Sequence, residues 1–216
     1  MHGAYFIVGT DTNVGKTYVA SALLRHFVAQ GYQAVGMKPV AAGCQQDAKL
    51  GLVNEDVQAL LEAGNVQVDI DTLNPYRFLP AIAPHIAAQQ AGVAIDTGTI
   101  LTAYQALQAK ADVVVVEGAG GFLTPINAKQ TLADVAVQLA MPIVLVVGVR
   151  LGCLNHACLT VEAIRARGLN LVGWVANCVD PGMAHLQENL SSLQQAIAAP
   201  CLCVVPWQGQ AQFNLV

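Results

Sequence analysis

Short apolar runs recur along the chain, and most are followed by a segment whose apolar residues stand three and four apart. Residues 4–8, 112–116, 142–147, 171–177 and 201–205 are nearly continuous in apolar side chains, as expected of parallel strands buried on both faces. Residues 33–40 read as a further strand. Helical spacing follows the first run from residue 18 to about residue 31, and returns at 54–61, 97–110, 131–139 and 185–198. In 97–110 one stripe is formed by Ile100, Leu101, Tyr104 and Leu107. The turn 150–155 opens another helix, running to about residue 167. Asn54 stands where an N-cap is expected, with Glu55 and Asp56 in the first turn behind it. The pattern breaks over 73–90, where prolines and aromatics point to an ordered loop leading into a short helix, the kind of excursion that lines a pocket. No internal repeat interrupts the alternation of strand and helix. The expected fold is therefore α/β: a doubly wound, mostly parallel sheet flanked by helices, in one domain over 1–216.

Composition changes this picture at the surface. Hydrophobic residues make up 55% of the 216 and charged ones only 11%, so part of the exterior is expected to be covered by a second subunit. A homodimer or larger assembly follows. The ten basic residues are scattered singly in a chain of net charge −4, which argues against a nucleic-acid partner. No uninterrupted apolar stretch reaches the roughly eighteen residues of a membrane span, and the first strand begins too early to leave room for a signal peptide. The expected location is the cytoplasm. Six cysteines, Cys44, Cys153, Cys158, Cys178, Cys201 and Cys203, match no zinc or redox spacing and read as reduced, mostly buried thiols. Cys201 and Cys203 should share one face of the last strand.

The chemistry is concentrated after the first run. Gly9-Thr10-Asp11-Thr12-Asn13-Val14-Gly15-Lys16-Thr17 lies between a strand and a helix, the layout of a P-loop. A triphosphate needs backbone N–H groups converging from an unobstructed loop, which Gly15 permits. Lys16 can reach the β and γ phosphates, and the Thr17 hydroxyl is suited to Mg²⁺. The first glycine stands one residue earlier than in the common P-loop spacing, which would place it at Thr10. A second signal is the valine run ending in Glu117-Gly118-Ala119-Gly120-Gly121: a carboxylate at a buried strand end calls for a cation, and the glycines allow close backbone approach. Lys38, at the end of the 33–40 strand, stands either in solvent or where open α/β sheets bind ligands. Asp56 is either a helix-dipole partner or a metal ligand aimed at the P-loop. His85 is either a base or a structural hydrogen-bonding group.

In this order the motifs resemble those of the dethiobiotin synthetases. The matching stretches are Gly9 to Thr17, Lys38-Pro39-Val40, Asn54-Glu55-Asp56, Asn74-Pro75-Tyr76, Pro84-His85-Ile86, Val116 to Gly121, Gly148 to His156, Gly173 to Asn177 and Pro206-Trp207, and they span nearly the whole chain. The early first glycine is typical of that family. The resemblance implies an ATP- and Mg²⁺-dependent cyclo-ligase that converts 7,8-diaminopelargonic acid and CO₂ to dethiobiotin through a carbamate and a carbamic-phosphoric anhydride. It also implies the roles of residues. Thr17, Asp56 and Glu117 would hold Mg²⁺, Lys16 and Lys38 would flank the carbamate and the γ phosphate, and Thr12 would face the substrate. Nucleotide contacts would run over Asn13, Val14, Gly15, Lys16, Thr17 and Tyr18, then over Gly118, Ala119 and Gly120. Asn177, Cys178, Pro206, Trp207 and Gln208 would read the adenine. The substrate would meet Lys38 and position 42, and its carboxylate would be held by the turn Leu151-Gly152-Cys153-Leu154-Asn155 of the partner subunit.

Three positions depart from the family pattern. Ala42 stands where many members carry a hydroxyl, Asn13 where some carry an acid, and residues 208–216 contain no acid. The rival of another class is a nucleotide-dependent switch related to the septum-placement ATPases. Those proteins carry an extra lysine five residues before the P-loop lysine, where this chain has Asp11.

Overall fold

A computed structural model describes residues 3–48 and 51–213; residues 214–216 of the acid-free tail lie outside it. In chain order the elements are β1 (Gly3–Gly9), α1 (Lys16–Ala29), β2 (Ala34–Met37), β3 (Val40–Ala42), β4 (Gln45–Asp47), β5 (Gly51–Val53), α2 (Glu55–Ala63), α3 (Ile70–Leu73), β6 (Tyr76–Phe78), α4 (Pro84–Gln90), α5 (Thr97–Gln108), β7 (Val113–Glu117), α6 (Leu132–Leu139), β8 (Ile143–Val149), α7 (Cys153–Ala166), β9 (Leu171–Cys178), α8 (Leu186–Ala196) and β10 (Cys201–Val205).

Six strands form one sheet in the order β10-β9-β8-β1-β7-β2, with every pairing parallel. The four valines of β7 explain why it lies inside. Val114 and Val116 pack on one face with Phe6, Val8 and residues of α5 to α8, while Val113 and Val115 pack on the other with Tyr5, Ile7 and α1. A strand buried on both faces needs apolar side chains at every position, and this one has them up to Glu117. From β1 the chain goes right to β2, returns to β7, then crosses β1 to reach β8. The direction of winding reverses there, so the carboxyl end of β1 lies at the point where open α/β sheets bind ligands.

The predicted strand 33–40 is broken. β2 stops at Met37, and Val40–Ala42 belongs to a separate two-stranded parallel ribbon with β6. Pro39 has no N–H to give to a ladder, and the Lys38 N–H donates to the Leu73 carbonyl (2.9 Å) instead. The loop 73–90 does lead to a short helix, α4, but β6 lies within it and α3 just ahead of it. The β4–β5 hairpin was also illegible, each strand being three residues long with no apolar alternation. At the last strand the register shifts between Cys201 and Cys203. Cys201 therefore packs toward the α7 and α8 side and Cys203 toward α1, not on one shared face.

Candidate functional site

The phosphate loop is tightly built. At Gly9 an added Cβ would fall 2.8 Å from Val14 Cγ2 and 3.0 Å from Lys16 Cδ, which explains why the first glycine is the last residue of β1. Gly15 adopts φ 89° as N-cap of α1, and a Cβ there would lie 2.1 Å from Asn177 Nδ2. Asn177, at the end of β9, donates that amide to the Val14 carbonyl (2.9 Å) and so buttresses the loop from beneath. Lys16 is buried, and its ammonium donates to the Asp11 carbonyl (2.9 Å). Burial, and then the neighbouring Lys38 ammonium, lower its pKa to about 8.

Beside the loop, three elements bring charges together. Lys38, just past β2, donates to Asp56 Oδ2 (2.7 Å) at the start of α2 and to Glu117 Oε1 (2.6 Å) at the end of β7. Asn54 caps α2 by accepting from the Asp56 N–H (3.0 Å), which fixes where that carboxylate points. The Thr17 hydroxyl lies 2.7 Å from Asp56 Oδ1 and 2.8 Å from Glu117 Oε1. A hydroxyl has one proton to donate, so it cannot satisfy both. Glu117 Oε2 is buried with no partner among the described residues, and Glu117 is only 1% exposed. Burial raises the Glu117 pKa against the pull of Lys38. Burial also acts on Lys38, but the two carboxylates outweigh it and keep the ammonium charged. In half-buried Asp56 the upward push of burial is overcome by Lys38 and by the hydrogen bonds from Lys38 and Thr17, leaving its pKa low.

Among the described residues no three His, Cys, Asp or Glu side chains form a protein-only metal cage. Mg²⁺ does not need one: it is usually held by one or two carboxylates together with substrate phosphates and water. An orphaned carboxylate oxygen and a hydroxyl shared by two carboxylates fit such a cation.

These groups line one cleft of about 1020 Å³. It brings together Thr12, Asn13, Gly15, Lys16 and Thr17 of the loop, Lys38 and Ala42 from the β2–β3 segment, and Asp56, Glu117, Ala119 and Gly120. Other predicted residues lie elsewhere. Val14 and Cys178 are buried, and Gly118 spends its N–H on the Ile7 carbonyl (3.0 Å). The Tyr18 side chain turns away toward residues 209–211. Pro206, Trp207 and Gln208 are exposed just after β10, whose Val205 pairs with Asn177. The turn 151–155 does not reach the cleft of its own chain: Leu151 is 95% exposed, while Cys153 is buried. His85 does not line the cleft either, and its Nδ1 has no hydrogen-bond partner among the described residues.

Sequence reasoning gave no role to several residues that shape the site. Buried Asn74 donates to the Lys38 carbonyl (2.5 Å) and fixes the backbone that carries the lysine. Asp11 holds the loop through its Oδ1, which accepts the Thr12 N–H (2.7 Å), and through Oδ2, which accepts from Arg150 (2.5 Å) at the end of β8. Residues 81–84 and Thr124-Pro125 form the lips of the cleft. Asn74 and Arg150 sit inside motifs visible in the sequence; nothing there marks Thr124.

The pattern of the AAA domain family matches residues 3–213. The ATP-dependent dethiobiotin synthetase BioD of Aromatoleum aromaticum is 52% identical over 203 residues, covering 94% of this chain and 90% of its own length. The enzyme of the same name from Nitrosospira multiformis is 48% identical, with 96% and 89% covered, and that of Xanthomonas oryzae pv. oryzae 48%, with 97% and 93%. Among solved structures, the MinD cell division protein of Aquifex aeolicus superposes with a TM-score of 0.57 at 12% identity, covering 94% of this chain and 82% of that one. The signal recognition particle receptor FtsY of Elizabethkingia anophelis, in complex with GDP, gives 0.56 at 16% identity, covering 100% and 61%. At such identities these two share the fold alone.

Proposed function

The chain belongs to the family of ATP-dependent dethiobiotin synthetases, ligases of biotin biosynthesis, and on that premise we propose how its own residues carry out the reaction. One amine of 7,8-diaminopelargonic acid attacks CO₂ and loses a proton, forming a carbamate. A carbamate oxygen then attacks the γ phosphorus of ATP and ADP leaves. Finally the second amine attacks the carbonyl carbon and gives up a proton, phosphate departs with the C–O electron pair, and the cyclic urea of dethiobiotin closes. From the carbamate onward negative charge gathers at the reacting oxygens, so positioning and charge stabilisation do most of the work.

The observation that carries this reading is the pair of buried lysines, Lys16 and Lys38, facing one cleft beside two carboxylates and the Thr17 hydroxyl. Lys16 holds phosphate oxygens once it leaves the Asp11 carbonyl. Lys38, kept charged and aimed by Asp56 and Glu117, neutralises the carbamate as it approaches the γ phosphate. Thr12 lines the substrate side. Thr17, Asp56 and Glu117 would hold Mg²⁺, which when bound neutralises charge on the β and γ phosphates. Ala42 offers the substrate no hydroxyl. At the other end of the nucleotide, the segment 206–208 and Asn177 border the adenine.

The turn 151–155 enters as the contribution of a second copy. Leu151, Leu159 and Leu123 are large apolar side chains left exposed on one chain, and the N-terminus of α7 supplies N–H groups suited to the substrate's carboxylate. A homodimer whose two sites are each completed by the partner accounts for both. No helix among the described residues is long and apolar enough to cross a membrane, and the proposed place of action is the cytoplasm.

The test is ADP release from Mg-ATP by purified protein, with and without 7,8-diaminopelargonic acid and bicarbonate, with the organic product identified by mass. ADP formed only with both additions, in equal amount to a cyclic urea, is the expected result. ADP formed regardless of the diamine would replace the ligase by a nucleotide switch.

A further inference from the structure

The segment that leaves β10 is fastened to the P-loop helix by a residue that the reaction itself does not use. Val205 pairs with Asn177, and Asn177 bonds the Val14 carbonyl, so the chain emerging at Pro206 starts beside the phosphate loop. It turns at once, with the Gly209 N–H donating back to the Pro206 carbonyl (2.9 Å) and Gln208 at φ 54°. Residues 209–213 then run along α1. Tyr18, in the first turn of that helix, donates its hydroxyl to the Gly209 carbonyl (2.8 Å) and accepts the Ala211 N–H (3.1 Å). Further along, Phe213 meets the His26 ring edge-on (6.1 Å between centroids) and packs partly into the cluster around Phe27. Between these attachments the strap bridges an open space of about 780 Å³ floored by Ala22 and Arg25. Its shape therefore depends on its pins.

We propose that Tyr18 is a positioning residue for nucleotide recognition: by tying Gly209 and Ala211 to the first turn of α1, its hydroxyl holds residues 206–208 as a fixed edge for the base. The proposal rests on the reading that this turn borders the adenine. The physical reason is pre-organisation. Pro206, Trp207 and Gln208 are all exposed, and a free segment would have to be ordered on every binding event, at a cost that a pinned one avoids. The phosphate loop grips the triphosphate alone and is blind to the base. The clamp should therefore affect only ligands that have one.

Mg-ATP and Mg-tripolyphosphate, which has no base, are titrated calorimetrically into wild type, Tyr18→Phe and Phe213→Ala, without diamine or bicarbonate. Removing the hydroxyl should weaken Mg-ATP about tenfold, the scale of one or two hydrogen bonds, and leave tripolyphosphate within about twofold. In turnover, the KM for ATP should rise by more than kcat falls. Phe213→Ala, which frees the far end of the strap, should weaken Mg-ATP in the same selective way and stands in if Tyr18→Phe does not fold. Equal losses for both ligands, or no loss for either, would overturn the clamp. Because binding is read without the diamine, a protein that binds Mg-ATP through the clamp yet makes no cyclic urea would sink the ligase reading alone.

Discussion

Lys38 has two carboxylate partners and almost no exposure, so its removal has two separable consequences. On the proposed mechanism Lys38→Ala takes a cation from the reacting anions, which should cost on the order of a hundred- to thousand-fold in kcat. The same change leaves Glu117 buried without its counter-charge, and breaking such a pair costs about 3 kcal/mol. Steady-state kinetics and urea denaturation of the one variant should show both effects. Of the site residues, Lys16, Thr17 and Glu117 were legible because each sits at a fixed place in a strand–loop–helix or strand-end pattern. The residues themselves left two roles open for Lys38 and for Asp56, since a lysine after a strand and an acid in a first helical turn are common without any ligand. Asn74 escaped because its task is to hold the carbonyl of Lys38, 36 positions away in sequence, a contact that no local pattern encodes.

Helix α6 shows how much one end can decide. Thr131 donates its N–H (2.6 Å) and its hydroxyl (2.8 Å) to the Asp134 carboxylate. Burial pushes that carboxyl up, but the two bonds from Thr131 and the charge of Arg167 pull it further down, so its folded pKa lies below 3.8. A carboxylate with a depressed folded pKa stabilises the fold above its unfolded value and loses that contribution as pH falls through the folded one. Asp134→Ala should therefore cost about 1 kcal/mol near neutrality, and the gap to wild type should close as pH falls below about 4, read from urea midpoints across an acid series. The long elements were legible for physical reasons of the same kind: nearly continuous apolar runs for β1, β7 and β8, and an N-cap for α2. The short ones, β3 to β6 and α3, hold three or four residues each. That is too few for a period to show, and their positions follow from Pro39, Asn74 and the backbone bonds around them.

At the scale of the molecule, the sheet order places the P-loop, the Glu117 strand end and the Asn177 buttress along one edge, and the alternation of strands and helices made that arrangement legible. The surface was legible only as a shortage of charge. Which patch is left uncovered emerges from the fold, where Leu151 stands 95% exposed at the mouth of α7. If the proposed dimer forms through this patch, a charge placed there should disrupt both the dimer and the site proposed to be shared across it. Leu151→Asp is expected to shift sedimentation toward the monomer and to raise the KM for the diamine more than that for ATP. A variant that stays dimeric with an unaltered diamine KM would move the interface elsewhere.

The all-parallel ladder also governs when the site can exist. Among the described residues β1 pairs only with residues 113–117 and 143–146, and the buttress beneath Gly15 arrives with Asn177. Parallel partners so distant in sequence are found late, after long loops have closed. In a growing polypeptide the phosphate loop therefore leaves the ribosome well before β7, β8 and β9, the neighbours that hold its shape. The nucleotide can therefore stabilise only a chain that has been made past Asn177, and the apolar strands before it must pass through synthesis without help from the ligand they will later serve.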